Sequence, residues 1–497
     1  MNKFLHEYRH FLTYPRAMRI LLLTNLIYAF VLPVIDVFVG AYVMRNSQDV
    51  KMVVLYQLAV YTGIPFTFLI NGFLLRHINI KRLYSAGMLL SGISMAVMMS
   101  LGKLDMLGVG VAGLMMGMSF GLFWANRDFL ALSTTNDSNR NYYYGLETFF
   151  YTNTYVIVPI AVGWFIEGTG RQDWFGGDRN TAYQIVTGIV FLLTICSSIL
   201  VHRGKFENPP DSDFIFFRFH WLWNRMQLLA ILKGLAQGYI VTAPAMLVMR
   251  LVGEEGALGT LQAIGGILSA FLLYFIGRTA KPEHRLAIFS VGLVLFLLGG
   301  LANAVFYNAF GVFLFMACLL LGRPLHDIAY FPIQMQVIDT VAAIEHRNKF
   351  AYIFSQEFGF YIGRFTGCML FILLAYKVSD TFALRYALVL IGIVQLLSIV
   401  VAKQILRGCA ANQQVSAVEP GRWQGPIPSS FGAHFIFVDE RVRGSLPALD
   451  TVRAVVRQEW LNARRTEAED KLYRTLRDRY QIVVETLPKA AGSKIAR

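Results

Sequence analysis

Residues 19–44 read RILLLTNLIYAFVLPVIDVFVGAYVM, a stretch carrying only two charges, Arg19 and Asp36. The hydrocarbon core of a bilayer is about 30 Å thick and takes about 20 consecutive apolar residues to cross as a helix. A soluble core helix needs only one apolar stripe, whereas this stretch is apolar on nearly every face. It is also too long for the h-region of a cleavable signal, so the sequence predicts a retained first span.

The pattern recurs along the chain. Further spans are expected at 52–75, 83–102, 105–129, 143–166, 181–202, 226–249, 257–277, 284–303, 305–330, 349–376 and 380–404. Of the 497 residues, 56% are hydrophobic and 15% charged, against about 25% charged in an average soluble domain. The formal charge of +14 follows from where the basic residues fall. With the N-terminus inside, twenty Lys and Arg lie on inner segments, while Arg45, Lys51, Lys103, Arg171, Arg179, Arg250 and Lys377 lie outside. That is the positive-inside bias. It predicts an even number of spans, both termini cytoplasmic, and a multi-pass plasma-membrane protein of bacterial inner-membrane type. Nucleic acid is not the expected partner of this charge; the bilayer is. Cys196, Cys318, Cys368 and Cys409 show no C-x-x-C spacing and no clustered histidines, so neither a disulfide framework nor a metal site is expected.

The two halves of this pattern resemble each other. Gly72-Phe-Leu-Leu-Arg-His-Ile-Asn-Ile-Lys-Arg82 joins the second and third spans, and Gly277-Arg-Thr-Ala-Lys-Pro-Glu-His-Arg285 joins the eighth and ninth. Arg127 and Asp128 close the fourth span, with Glu147 on the fifth. Arg323 and Asp327 close the tenth, with Glu357 on the eleventh. A duplicated six-helix unit is a hallmark of secondary transporters, whose substrate path lies at the repeat interface. The expected fold is therefore all-α, with twelve transmembrane helices in two pseudo-symmetric bundles, 1–202 and 226–407. Between them, 203–225 carries Pro209-Pro210 and an aromatic run with Arg218 and Arg225, which suits a helix on the cytoplasmic interface or a docking surface.

On these features the chain, over about 15–405, resembles the major facilitator superfamily. That family's loop pattern is Gly-x-x-x-Asp-[Arg/Lys]-x-Gly-[Arg/Lys]-[Arg/Lys]. Gly72 matches its start and Lys81 and Arg82 its basic end, while Arg76 stands at the Asp position and the second Gly is missing. The resemblance implies alternating access between inward-open and outward-open states, a small-molecule substrate and a monomer. Export is the direction it slightly favours, with substrate uptake or uniport as the alternative.

Asp36 is the informative charge, because an ionised group near the bilayer centre costs at least about 2.5–3.5 kcal/mol on insertion scales. It is a candidate for proton coupling, with a structural hydrogen bond or an outer-vestibule position as the plainer reading. Pro33, three residues earlier, can open the helix locally. Glu147 and Glu357 are the other proton-coupling candidates. With Arg127, Asp128, Arg323 and Asp327 they are also expected to form a cytoplasmic gate. Arg364, seven residues past Glu357 and beside aromatics, is a candidate for an anion site or an internal ion pair. Trp124 and Tyr361 are cavity candidates, as are Tyr151, Tyr155 and Tyr274, though packing and interface roles are commoner for membrane aromatics. No G-x-S-x-G, H-E-x-x-H or Walker pattern is present, so neither an enzyme, a cofactor nor direct ATP power is expected. A channel, a lipid scramblase and a non-transporting receptor or scaffold are the competing classes; a channel would show rings of like polar groups around one pore.

After about residue 407 the composition changes. A linker at 408–420 precedes a small α/β appendage, 421–497. Trp423, Gly425, Pro426, Ser429, Phe431, Gly432 and His434 resemble the end of a parvulin-type peptidyl-prolyl isomerase, a turn and strand followed by a helix. The chain has no room between 407 and 421 for that family's opening strand and preceding helices. His434 is therefore expected not to catalyse isomerisation, and the segment to be an accessory or remnant module.

Overall fold

The computed structural model describes residues 11–101, 103–135, 137–208, 215–279, 282–347, 349–417, 421–429 and 432–439, with isolated positions from 453 to 475. Twelve helices among these are long and apolar enough to cross a membrane. The first six are α1 (Arg16–Ser47), α2 (Val50–Leu74), α3 (Ile80–Ser100), α4 (Met106–Ala131), α5 (Tyr142–Arg171) and α6 (Arg179–His202). The second six are α7 (Trp221–Leu251), α8 (Glu255–Leu272), α9 (Arg285–Phe306), α10 (Ala309–Glu345), α11 (Ala351–Lys377) and α12 (Asp380–Asn412).

The packing pairs repeat. In the first half α1 packs on α5 and α6, α2 on α4, and α3 on α4 and α6. In the second half α7 packs on α11 and α12, α8 on α10, and α9 on α10 and α12. The halves meet through α2 against α11, α5 against α8, and the outer parts of α1 and α7. The even number of spans gives one face of the bundle both ends of the helical array and the α2–α3, α4–α5, α8–α9 and α10–α11 connections. We call it the near face, and its opposite the far face.

Glycine sets the tightest contacts. In lipid there is no hydrophobic drive between helices, so small residues that let backbones approach supply the packing. Gly113, Gly117 and Gly121 of α4 meet the backbone of α2 around Val60, Gly63 and Ile64; a Cβ on Gly63 would lie 2.7 Å from the Leu114 carbonyl oxygen. Gly234 and Gly238 of α7 meet Gly363 and Gly367 of α11, and a Cβ on Gly238 would lie 3.0 Å from the Cys368 nitrogen.

Two helices break where the repeat predicts equivalence. α1 is helical over Arg16–Ala29, turns at Phe30 and Val31, resumes at Leu32–Val34, widens to a π-helical turn over Ile35–Val39 and ends as Gly40–Ser47. α7 runs Trp221–Ile240, breaks at Val241 and Thr242, and resumes as Ala243–Leu251 with Pro244 in its first turn.

Three boundaries differ from the sequence reading. α10 is one helix over Ala309–Glu345, containing Pro324 and Pro332. The charges of Arg323, His326 and Asp327 suggest a helix end near 330, yet they occupy its middle, where the lining of an internal recess solvates them. Trp221 and Arg225, expected in the connecting linker, form the first turn of α7; the described parts of 203–220 beyond the end of α6 are turns and coil, and 209–214 lie outside the described residues. The second part of α12, Leu397–Ala417, runs past the span, so 408–417, expected as a linker, are helical.

The C-terminal segment contains two strands, β1 (Trp423–Ser429) and β2 (Gly432–Phe437), paired in a two-stranded sheet. The expected turn and single strand is thus a hairpin. Arg453, Arg457, Trp460, Arg464, Lys471 and Thr475 are helical and exposed. Phe431 and most of the helix expected to follow the strand lie outside the described residues.

Candidate functional site

Asp36 lies in the π-helical turn of α1. From Val31 to Val39 every residue is buried except Asp36, which is exposed. An i→i+5 turn inserts an extra residue, and such turns are frequent at functional sites. Here it presents a carboxylate to accessible space inside the bundle while its apolar neighbours stay packed. The Tyr155 hydroxyl of α5 donates to Asp36 Oδ2. Tyr155 abuts Gly266 of α8, and the neighbouring Gly265 abuts Leu320, about one turn before Arg323 on α10 in the other half.

Arg323 borders a recess of about 570 Å³, its open mouth included, built by α7, α9, α10 and α12. Lys233, Gln237, His326, Asp327 and Gln395 are its polar lining, and Ile240, Leu293, Phe296 and Leu319 contribute to its apolar wall. Lys233 is 6% exposed. Its ammonium donates to Asp327 Oδ1 at 2.7 Å and stands 3.9 Å from the centre of the Tyr330 ring. His326 Nδ1 lies 3.2 Å from the same carboxylate oxygen, while Arg323 approaches Asp327 Oδ2 only to 4.0 Å. Asp327 is thus committed to Lys233 and His326. Arg323, its side chain 66% exposed, keeps most of its donors for the recess.

Arg364 of α11 borders the same interior. Its Nε donates to Gln237 Oε1 at 2.9 Å, its Nη1 lies 3.7 Å from Glu357, and its guanidinium stands 4.9 Å from the Tyr61 ring of α2. Tyr61 in turn donates to the Gln237 carbonyl across the halves at 3.0 Å. Tyr361 makes an edge contact with Phe66 of α2.

The first half has its own buried polar knot. Glu147 is 1% exposed. It accepts from Arg127 Nε at 3.1 Å, from Asn25 Nδ2 at 2.6 Å and from the Tyr143 hydroxyl at 3.3 Å. Tyr84 donates to Asn25 Oδ1 at 2.5 Å. Asp128, 61% exposed at its side chain, takes only the outer Nη1 of Arg127. The guanidinium also stands 5.5 Å from the Trp124 ring. At the near face Glu345 accepts from the His220 N–H at 2.5 Å and from the Tyr352 hydroxyl at 2.5 Å, and burial holds the His220 imidazole below its ordinary pKa.

The candidate charges are therefore joined within each half: Arg127 to Glu147, Asp327 to Lys233, and Arg364 to Glu357. The matched Arg–Asp pairs are not register equivalents. Gly87 of α3 abuts Ser119 and Phe123 of α4, and Gly292 of α9 abuts Gly322 and His326 of α10. That alignment sets Asp327 opposite Trp124, a full turn deeper than Asp128. Gly72, Lys81 and Arg82 lie at the α2–α3 connection, where Asn79 caps α3 through the Lys81 N–H.

Ion pairs between described residues of the two halves all lie at the far face. Arg45 of α1 reaches Glu255 of α8, Arg179 of α6 approaches the same carboxylate at 3.6 Å, Lys51 of α2 meets Asp380 of α12 at 3.0 Å, and Arg171 of α5 meets Glu254 at 2.6 Å. Near the other face the halves touch through an apolar group, Phe68, Ala125 and Phe354. Spacing does not single out Lys233, although a lysine inside the seventh span is as costly as Asp36 in the first. Glu255 gives no signal in the sequence because it sits at a loop edge. Among the described residues no cluster of three His, Cys, Asp or Glu side chains is arranged to hold a metal ion.

No protein-family profile matches the chain. It is 23% identical over 366 residues to the uncharacterised protein YqgE of Bacillus subtilis (strain 168), covering 72% of this chain and 82% of that protein. It is 25% identical over 151 residues to an uncharacterised protein encoded in the sodM 3' region of Geobacillus stearothermophilus, 30% of this chain and 71% of that one. Among solved structures it resembles the nucleoside transporter NupG (TM-score 0.59, 10% identity, 79% of this chain and 98% of that one). It also resembles a bacterial homologue of the drug peptide transporters PepT1 and PepT2 (0.58, 14%, 78% and 97%) and the inward-facing form of a bacterial homologue of the iron transporter ferroportin (0.55, 17%, 77% and 98%). The chain is a polytopic helical membrane protein with the fold of secondary transporters.

Proposed function

We propose that this protein is a secondary active transporter of the major facilitator type. It moves a small molecule by alternating access, with both termini cytoplasmic, as a monomer in a bacterial inner membrane. The near face is then the cytoplasmic one. The observation that carries the reading is Asp36: the one exposed residue of an otherwise buried π-helical turn, its carboxylate held by the Tyr155 hydroxyl of α5. In the closed far-face arrangement the halves are held by ion pairs. Rocking that breaks them would open Asp36 to the other side.

The same residue couples transport to protons in this proposal. A carboxylate in a space of changing dielectric loads a proton when desolvated and releases it when water or Arg323 reaches it. Export by antiport follows from the family resemblance. Glu147 is held by Arg127, Asn25 and Tyr143, which suits a structural post; Glu357, paired among the described residues only to Arg364 at 3.7 Å, is the second coupling candidate. Arg127, Asp128, Arg323 and Asp327 act as supports of the near-face gate through their own halves. The hairpin and the residues after it form an accessory module of parvulin-like descent without isomerase chemistry.

The test is transport in sealed liposomes with an imposed pH gradient, run over a panel of small solutes. D36N should lose gradient-driven accumulation while keeping exchange at zero gradient. Full accumulation by D36N would remove proton coupling from this residue. Flux that is linear in solute concentration and insensitive to the gradient would favour a channel.

A further inference from the structure

Resting on the transporter reading, we propose that the space between Asp36 and Arg323 receives a zwitterion of amino-acid type with an apolar side chain. Its ammonium would sit on Asp36, its carboxylate on Arg323, and its side chain in the recess between α7, α9, α10 and α12.

Three features carry this. The two halves present opposite charges to one interior. Asp36 comes from α1 and is held by Tyr155 of α5; Tyr155 abuts Gly266 of α8, and the neighbouring Gly265 abuts Leu320, about one turn before Arg323 on α10. Each is incompletely used. Asp36 accepts from Tyr155 at one oxygen, leaving the other for a donor. Among the described residues Arg323 makes only its 4.0 Å approach to Asp327, whose carboxylate is already held by Lys233 and His326. A planar guanidinium presents five N–H donors in a fork that fits a carboxylate.

The recess beside Arg323 is apolar away from its charged rim, with Ile240, Val241, Leu293, Phe296 and Leu319 in its wall. A ligand with two charges and an apolar body satisfies all three surfaces together. It also bridges the halves, so its binding energy acts on their relative position. A proton and the ligand ammonium compete for Asp36, which links the site to the coupling proposed above.

The experiment uses full-length protein in detergent micelles and equilibrium binding of radiolabelled L-phenylalanine. 2-Phenylethylamine and 3-phenylpropionate serve as competitors; they share the aryl group and carry one charge each. Both should compete roughly tenfold or more weakly than unlabelled phenylalanine, the loss expected for a missing charge-assisted contact. D36N should bind phenylalanine no better than 3-phenylpropionate, and R323Q no better than 2-phenylethylamine, each in protein that stays monodisperse on gel filtration. D36E and R323K should restore part of the affinity. Absence of saturable phenylalanine binding, equal competition by either single-charge analogue, or unchanged affinity in D36N would overturn the proposal. Micelles have no gradient and no compartments. Gradient-driven flux of another solute without phenylalanine binding therefore rejects this ligand class alone, whereas phenylalanine binding without flux of any solute rejects the transport reading alone.

Discussion

Arg45, at the far end of α1, and Glu255, at the start of α8, pair across the two halves, with Arg45 Nη2 donating to Glu255 Oε2 at 2.6 Å. The Glu255 side chain is fully buried, and Arg179 and the Tyr183 hydroxyl, at 3.4 Å, complete its surroundings. A carboxylate enclosed by two guanidinium groups from one half fixes its own half against the other.

Removing one member of a buried pair costs about 3–5 kcal/mol, because the remaining charge is left uncompensated. That cost falls only on the arrangement in which the far face is closed, so E255Q should shift the protein toward far-face opening. Ala245 of α7, buried where Gly40 of α1 approaches its Cβ, reports this as A245C in a background without the native cysteines. A membrane-impermeant thiol reagent should label it several-fold faster in E255Q. An unchanged rate would show that the apolar contacts of α5 and α8 hold the face without the pair.

The glycine contacts make a second prediction. G117V must push α4 off α2, because its side chain would meet the Val60 carbonyl and Gly63. A Cβ added at Gly110 meets nothing within 4 Å, so G110V has open space to enter. Overpacking typically costs about 1–3 kcal/mol. G117V should therefore lower the midpoint of thermal denaturation followed by gel filtration, while G110V leaves it near the parent value. Equal midpoints would mean that α2 and α4 have slack.

The spans, their number and the repeat are legible in sequence because each apolar run shows its membrane length locally. Asp36 is legible for the same reason, as a charge where charge is expensive. Its π-helical setting is not, because backbone register depends on the packing of α1 against α5 and α7. The depth of Arg323 and Asp327 is hidden because charges ordinarily end a span. α10 continues past them for eighteen residues, to Glu345, because the recess, Lys233 and His326 satisfy them. The far-face lock is invisible because Arg45, Lys51 and Glu255 look like ordinary loop-edge charges until α1 and α8 are brought together.

Burial separates two acidic partners of Arg127. Glu147 is enclosed and accepts from Arg127, Asn25 and Tyr143, whereas Asp128 is exposed. E147A should lower the thermal midpoint strongly, by the equivalent of about 3 kcal/mol or more. D128A should cost at most about 1 kcal/mol, as for an exposed pair. A larger loss in D128A would identify Asp128 as a partner of groups that the present arrangement does not bring to it.

A chain ended after Ala417 retains all twelve spans. It should enter membranes and elute as a monodisperse species like the full chain. Aggregation of the shortened chain would make the C-terminal segment a folding requirement of the bundle.

The break in α1 is the device that aims Asp36. Pro33 has no N–H to give to a regular helix, the chain turns at Phe30 and Val31 just before it, and the π-helical turn over Ile35–Val39 comes directly after. An extra residue in one turn rotates the remainder of the helix by about 100°, the angular step of one residue at 3.6 per turn. P33A restores the missing donor and lowers the cost of a regular helix. In a straightened α1 position 36 would turn toward the packed neighbours that now bury Val37 and Phe38. D36C in a cysteine-free background reads this directly. A small water-soluble thiol reagent should modify it several-fold more slowly when P33A is present. P65A is the control, since Pro65 lies inside the uninterrupted helix Val50–Leu74, and it should leave the rate unchanged. An unaltered rate in P33A would mean that packing against α5 and α7, rather than the proline, holds the break open.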